Sequence, residues 1–84
     1  MQNLFGDIKV KLFPNPAINF INIKFENQSI FLKEVSIIDI YGRTILKNFN
    51  TNNVIFITDL SPGSYYIKMV IENNIIIKKF IKSK

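Results

Sequence analysis

The sequence contains no cysteine, no histidine and no tryptophan. Without cysteine, no disulfide staples the fold, and no thiolate can ligate a metal or attack a substrate. Without histidine, the chain lacks the side chain best suited to proton transfer near neutral pH and the commonest metal ligand. Only three glycines are present, and they form no glycine-rich phosphate loop. No apolar run approaches the roughly 18–20 residues of a membrane-spanning helix. Positions 1–7 have neither a basic n-region nor a hydrophobic h-region, so they are not a signal peptide. They read as the remnant of an upstream linker or an artificial start, ahead of a domain over 8–84. The acids are Asp7, Glu26, Glu34, Asp39, Asp59 and Glu72. They form no spaced calcium-binding run, and no carboxylate pair among them is distinctive. No acid, base and nucleophile set can be named. The expectation is a non-catalytic chain with no cofactor and no metal.

What is present is apolar and strand-forming. The 84 residues allow one domain, and 48% of them are hydrophobic, including eight phenylalanines and three tyrosines. A chain of this size buries only about 60–65% of the surface its unfolded form exposes, so the core is modest. Isoleucine, asparagine and lysine make up nearly half the sequence. Isoleucine suits strands, asparagine turns, and lysine exposed faces and edges. The net charge is +5, spread along the chain except for Lys78, Lys79, Lys82 and Lys84 at the tail. This reads as solvated strand faces and a basic terminus. Tyr41, Tyr65, Tyr66, Phe20 and Phe80 lie near lysines, as stacking residues do in single-strand binders. No platform motif accompanies them, so nucleic acid is not an expected partner.

No segment shows helical periodicity. Short β-rich runs alternate with turn residues roughly every 8–12 positions, the pattern of a sandwich or barrel. In 8–13, Ile8, Val10 and Leu12 alternate with Lys9 and Lys11. Pro14-Asn15-Pro16 ends that run, because neither proline can donate to a ladder and both fix φ. In 18–25, Ile21, Ile23 and Phe25 share a face. Positions 26–33 carry no clear pattern and read as a loop from which Ile30, Phe31 or Leu32 dips toward the core. In 34–41, Val35 and Ile37 share one face and Ile38 and Ile40 the other, as in a strand covered on both sides or central in its sheet. Asp39-Ile40-Tyr41-Gly42-Arg43 reads as a tight hairpin connection, since aspartate bonds nearby backbone and glycine accepts positive φ. Runs 43–49 and 54–58 flank a polar loop at 50–53. Pro62-Gly63 fits the centre of a type II turn, and Asp59, like Asp39, reads as a turn residue. In 64–71, Tyr65, Ile67 and Met69 share a face. Asn73-Asn74 fits a two-residue hairpin turn before the last run, 75–81. Glu34 and Glu72 read as solvated charges at strand ends. The expected fold is all-β: a seven-stranded antiparallel immunoglobulin-like β-sandwich.

Three stretches occur in a recognisable order: Phe13-Pro14-Asn15-Pro16, then Ile37-Ile38-Asp39-Ile40-Tyr41-Gly42-Arg43, then Asp59-Leu60-Ser61-Pro62-Gly63-Ser64-Tyr65-Tyr66-Ile67. A lysine-bearing strand, Lys78-Lys79-Phe80-Ile81-Lys82, follows. In these the chain resembles, over almost its whole length, the type A C-terminal sorting domain of type IX secretion (Por secretion system) cargo from Bacteroidetes. The resemblance implies an immunoglobulin-like sandwich that acts as an address for secretion. Its partners would be the outer-membrane translocon, a shuttle protein and a cell-surface sortase, with the cargo domain upstream in the same polypeptide. Its location would be secreted or cell surface, after transit of the periplasm and outer membrane, without membrane insertion. The matching positions are Pro14, Asn15, Pro16, Asp39, Gly42, Leu60, Gly63, Tyr65 and Lys79. Any cleavage point is expected near or before Asp7.

A strand at a sheet edge offers unpaired backbone to a partner. The last run and the basic tail are therefore a candidate docking strand, with Ile75, Ile76, Ile77, Phe80, Ile81 and Lys82. The alternative is that this run only completes the sandwich. Two other functions use the same strands: a fibronectin-like or carbohydrate-binding accessory module of a surface protein, and a structural spacer. A sugar platform usually exposes tryptophan or tyrosine, and tryptophan is absent. A spacer can sit anywhere in a protein, whereas a sorting domain ends it, so a last strand stopping near Lys84 favours sorting if Lys84 is the native terminus.

Overall fold

A computed structural model describes residues 8–26, 30–49, 52–72 and 74–84. The strands are β1 (Val10–Phe13), β2 (Phe20–Phe25), β3 (Leu32–Ile38), β4 (Thr44–Phe49), β5 (Val54–Phe56), β6 (Gly63–Ile71) and β7 (Asn74–Lys82). There is no helix among the described residues. The strands form two antiparallel sheets, ordered β1-β2-β5 and β4-β3-β6-β7.

The alternation in the sequence decides which faces meet. On β2, Ile21, Ile23 and Phe25 are buried; on β6, so are Tyr65, Ile67, Met69 and Ile71. Val35 and Ile37 from β3, Ile55 from β5 and Phe80 from β7 complete the shared core, with Ile57 beyond β5. Ile8, Val10 and Leu12 are half-buried against it, while Lys9 and Lys11 are exposed. Fully burying one such aliphatic or aromatic side chain contributes about 1.5–3 kcal/mol, and nothing else in a chain without disulfides matches that sum.

β3 is central in its sheet, as one of the two sequence alternatives held. It runs from Leu32 to Ile38 rather than over 34–41, because Asp39 already belongs to the following turn. Of the three apolar residues expected to dip from the loop, Ile30 and Leu32 pack against the core and Phe31 is 81% exposed. β2 starts at Phe20 because Ala17 leaves its own run to bridge Lys82. β5 stops at Phe56, and Ile57 instead donates its N–H to the Asn19 carbonyl at 2.8 Å. In the polar loop, Asn52 and Asn53 take φ of 53° and 63°, a left-handed conformation that asparagine tolerates. The Asn53 carbonyl accepts from Ile23 N–H at 2.8 Å. The expected Asn73-Asn74 turn falls partly on Asn73, outside the described residues. Asn74 itself lies in the ladder, paired with Ile71.

Candidate functional site

The β3–β4 connection is a three-residue hairpin loop closed by Asp39 and Arg43. Asp39 N–H donates to the Arg43 carbonyl at 2.9 Å, and Gly42 N–H donates to the Asp39 carbonyl at 3.0 Å. Gly42 takes φ +85°, the left-handed step that lets such a loop rejoin its strand. The Asp39 carboxylate organises the rest. Its Oδ1 accepts from Tyr41 N–H and Arg43 N–H, each at 2.9 Å, and Oδ2 accepts from Arg43 Nε at 2.7 Å. Burial acts to raise the Asp39 carboxyl. The bonds from Arg43 and Tyr41 and the Arg43 charge outweigh it, so the group sits below its ordinary value of 3.8. Arg43 is thereby held with its guanidinium 5.4 Å from the centre of the exposed Tyr41 ring. The turn role expected for Asp39 is what the structure gives it.

The second corner links β5 to β6. Leu60 N–H donates to the Ile57 carbonyl at 3.0 Å, which puts the turn at Ile57 to Leu60, ahead of the expected Pro62-Gly63 centre. A type II turn there would need the Ser61 carbonyl as acceptor. That carbonyl accepts from the Tyr65 hydroxyl at 2.6 Å and from no backbone N–H among the described residues. Gly63 begins β6 with φ +151°, far from the value near +80° at the third position of a type II turn. Asp59 lies in the turn, but its carboxylate makes no hydrogen bond among the described residues. The Tyr65 ring is buried and stacked on Phe80, centroids 5.7 Å apart. Leu60 is half-buried against the core.

These two corners and β7 converge. Asp39 and Arg43 from the first, Leu60, Gly63 and Tyr65 from the second, and Lys79 from β7 line one open groove of about 730 Å³. Residues as far apart in sequence as Asp39 and Lys79 thus meet at one end of the sandwich. Tyr66 and Lys79 are cross-strand partners on the outward face of β6 and β7. Ile40, Tyr41, Ile45 and Tyr66 also line the groove and are all exposed. A cluster of exposed tyrosine and isoleucine beside arginine is the composition of a protein-binding surface. Lys79 makes no ion pair among the described residues.

The opening motif reaches the same end of β7 from the other sheet. Pro14 and Pro16 are exposed and flank Asn15, whose Oδ1 accepts from Ile81 N–H at 3.0 Å. Ala17, fully buried, donates its N–H to the Ile81 carbonyl at 2.8 Å and accepts from Ser83 N–H at 2.7 Å. The segment therefore clasps the outer edge of β7 over residues 81–83.

The candidate docking residues divide by face. Ile75, Ile77 and Ile81 are exposed and Ile76 is half-buried. Phe80 is in the core, and Lys82 is 6% exposed, its stem buried and its Nζ donating to the Ser83 carbonyl at 2.8 Å. β7 is one of the two edge strands of its sheet, β4 being the other. Sequence reasoning missed Ile45 and Tyr66 as groove residues, because outward positions of a strand announce no partner. It also missed the clasp. The signal available was an asparagine between two prolines, a side chain able to bond backbone where the main chain cannot. A family model described as a secretion system C-terminal sorting domain matches residues 11–83. Neither curated proteins nor solved structures give a match.

Proposed function

Because the chain belongs to the family of secretion system C-terminal sorting domains, we propose that it directs its cargo across the outer membrane through the type IX translocon and is then removed by a cell-surface sortase. A sorting domain is a signal that a cargo protein carries to the secretion machinery for export to the surface or medium. It works by being recognised, which needs an exposed, preorganised surface and no catalytic set. The observation that carries the reading is convergence. Asp39, Leu60, Gly63, Tyr65 and Lys79, all in the motifs, line a single groove, and Asn15 bonds β7, the strand that contributes Lys79 to it.

In this reading Asp39, Gly42, Leu60, Gly63 and Tyr65 shape the groove, and Arg43, Tyr66 and Lys79 present it. Pro14, Asn15 and Pro16 hold β7 in place, and β7 carries the docking strand. The fold is of immunoglobulin-like type. The strand order β1-β2-β5 against β4-β3-β6-β7 supports this. So does the Tyr65 hydroxyl reaching back to a carbonyl four residues upstream, as in the tyrosine corner of such sandwiches.

The test is export. A signal peptide and a fluorescent protein are fused ahead of residues 1–84 and expressed in a Bacteroidetes host with a working type IX system and in its translocon-deficient twin. Fluorescence in the medium or on the surface of the first strain alone is the expected result. Periplasmic retention in both, with the domain folded, overturns the reading.

A further inference from the structure

Among the described residues, the outer edge of β7 has no strand beside it ahead of Ile81. Ile81 turns its N–H and C=O away from β6, toward Asn15 and Ala17. Backbone groups alternate sides along an antiparallel strand. β7 pairs with β6 in unbroken register, so Ile75, Ile77 and Lys79 turn their N–H and C=O to that same outer edge. The clasp covers it only at residues 81–83. Over 75–79 these groups have no backbone partner among the described residues. Beside them the Ile75 and Ile77 side chains are 59% and 56% exposed. β6 and β7 contain Lys68, Lys78, Lys79 and Lys82 and no acid.

We propose that this edge accepts an extended segment of a partner protein, about five residues long, as an added strand with apolar residues beside Ile75 and Ile77 and carboxylates beside Lys78 and Lys79. The proposal rests on the sorting reading and names the chemistry of its docking partner. The clasp limits the added strand, because Asn15 and Ala17 occupy the edge from Ile81 onward. Opposite charge at one end and apolar contact at the other set its direction and register. A second copy of this chain fits poorly, since edge-to-edge pairing would set Lys78 and Lys79 of one copy near those of the other, on molecules of net charge +5 and with Glu72 in the connection as the hairpin's one acid. Lys82 and the tail contribute to the clasp rather than to docking.

The probes are two capped pentapeptides, Val-Thr-Val-Asp-Glu and its reverse, titrated into the isotope-labelled chain and followed by amide NMR. One of them is expected to shift the amides of Ile75, Ile77 and Lys79 and to slow their hydrogen exchange. Replacing its acids with lysine should weaken binding about tenfold or more. Ile77→Pro removes one outward donor, which an edge strand tolerates, and should weaken binding by a similar factor. Ile77→Lys, at an exposed position, should do the same and serves if the proline variant fails to fold. If neither peptide touches these amides, the proposal falls. If the chain self-associates through 75–79, it falls in favour of a second copy. The fusion separates this from the sorting reading. Normal export of the Ile77→Lys fusion without peptide binding removes the added strand and leaves sorting intact. Peptide binding at 75–79 without export of the wild-type fusion leaves the edge site and removes sorting.

Discussion

Tyr65→Phe isolates one hydrogen bond at the base of the groove. The hydroxyl donates to the Ser61 carbonyl at 2.6 Å, while the ring is buried and stacked on Phe80. Phenylalanine keeps the ring and the stack and deletes only the donor. A neutral hydrogen bond contributes about 0.5–1.5 kcal/mol net. Ser61 is exposed, so water replaces the lost donor and no unsatisfied carbonyl adds to the loss. The expected destabilisation is therefore about 1 kcal/mol. Unfolding entropy near the midpoint is about 2.1 cal/mol/K per residue, or about 0.18 kcal/mol/K over 84 residues. The midpoint should fall by about 6 °C. A thermal melt followed by circular dichroism measures it, and hydrogen exchange around Ser61 and Gly63 should quicken with it. A fall below about 1 °C would mean the hydroxyl is not bonded in solution; one above about 15 °C would mean the ring had moved as well. Either result refutes the assignment of this tyrosine as a pin between corner and strand.

Asp39 has a folded-state pKa below its ordinary 3.8, so its contribution is present above that value and lost as pH falls through the lowered one. Melts between about pH 7 and pH 2 should show the wild type losing stability at the acid end, and Asp39→Asn, already without the charge, should lack that loss. Gly63→Ala meets no atom within 4 Å of the added Cβ, but φ of +151° opposes any side chain, so denaturant unfolding should show a loss of about 1–3 kcal/mol from the backbone alone. Asn15→Ala removes the acceptor of the Ile81 N–H. Ile81 should then exchange its amide hydrogen faster while Ile67, deep in the core, does not, and the global loss should be about 0.5–1.5 kcal/mol.

The strands were legible because their period is two and their faces differ. Ile21, Ile23 and Phe25 could only be an inward face, and they are buried. The β3–β4 turn was legible because aspartate and glycine at that spacing have one main use, and both perform it. Pro62-Gly63 misled for a specific reason. Gly63 is already the first residue of β6, paired with Lys82, and long-range strand pairing of that kind does not show in a five-residue window. The groove was legible only as separate motifs. Its assembly depends on sheet order, which places Tyr66 beside Lys79, and no local pattern encodes which strands become neighbours. Lys82 belongs to the basic end of the candidate docking strand, a position at which lysine is rarely buried. Here it faces inward, next to Ala17 and Ser83.

The clasp between Asn15 and Ile81 spans 66 positions of sequence, so closing it costs the entropy of a long loop. Ala17 also needs Ser83 as its hydrogen-bond donor. A chain cut short before Ser83 would lack that bond however well the rest folded. The same closure holds the end of β7. The clasp thus ties the end of β7 to the segment between β1 and β2, joining the two sheets at that corner by backbone and asparagine bonds.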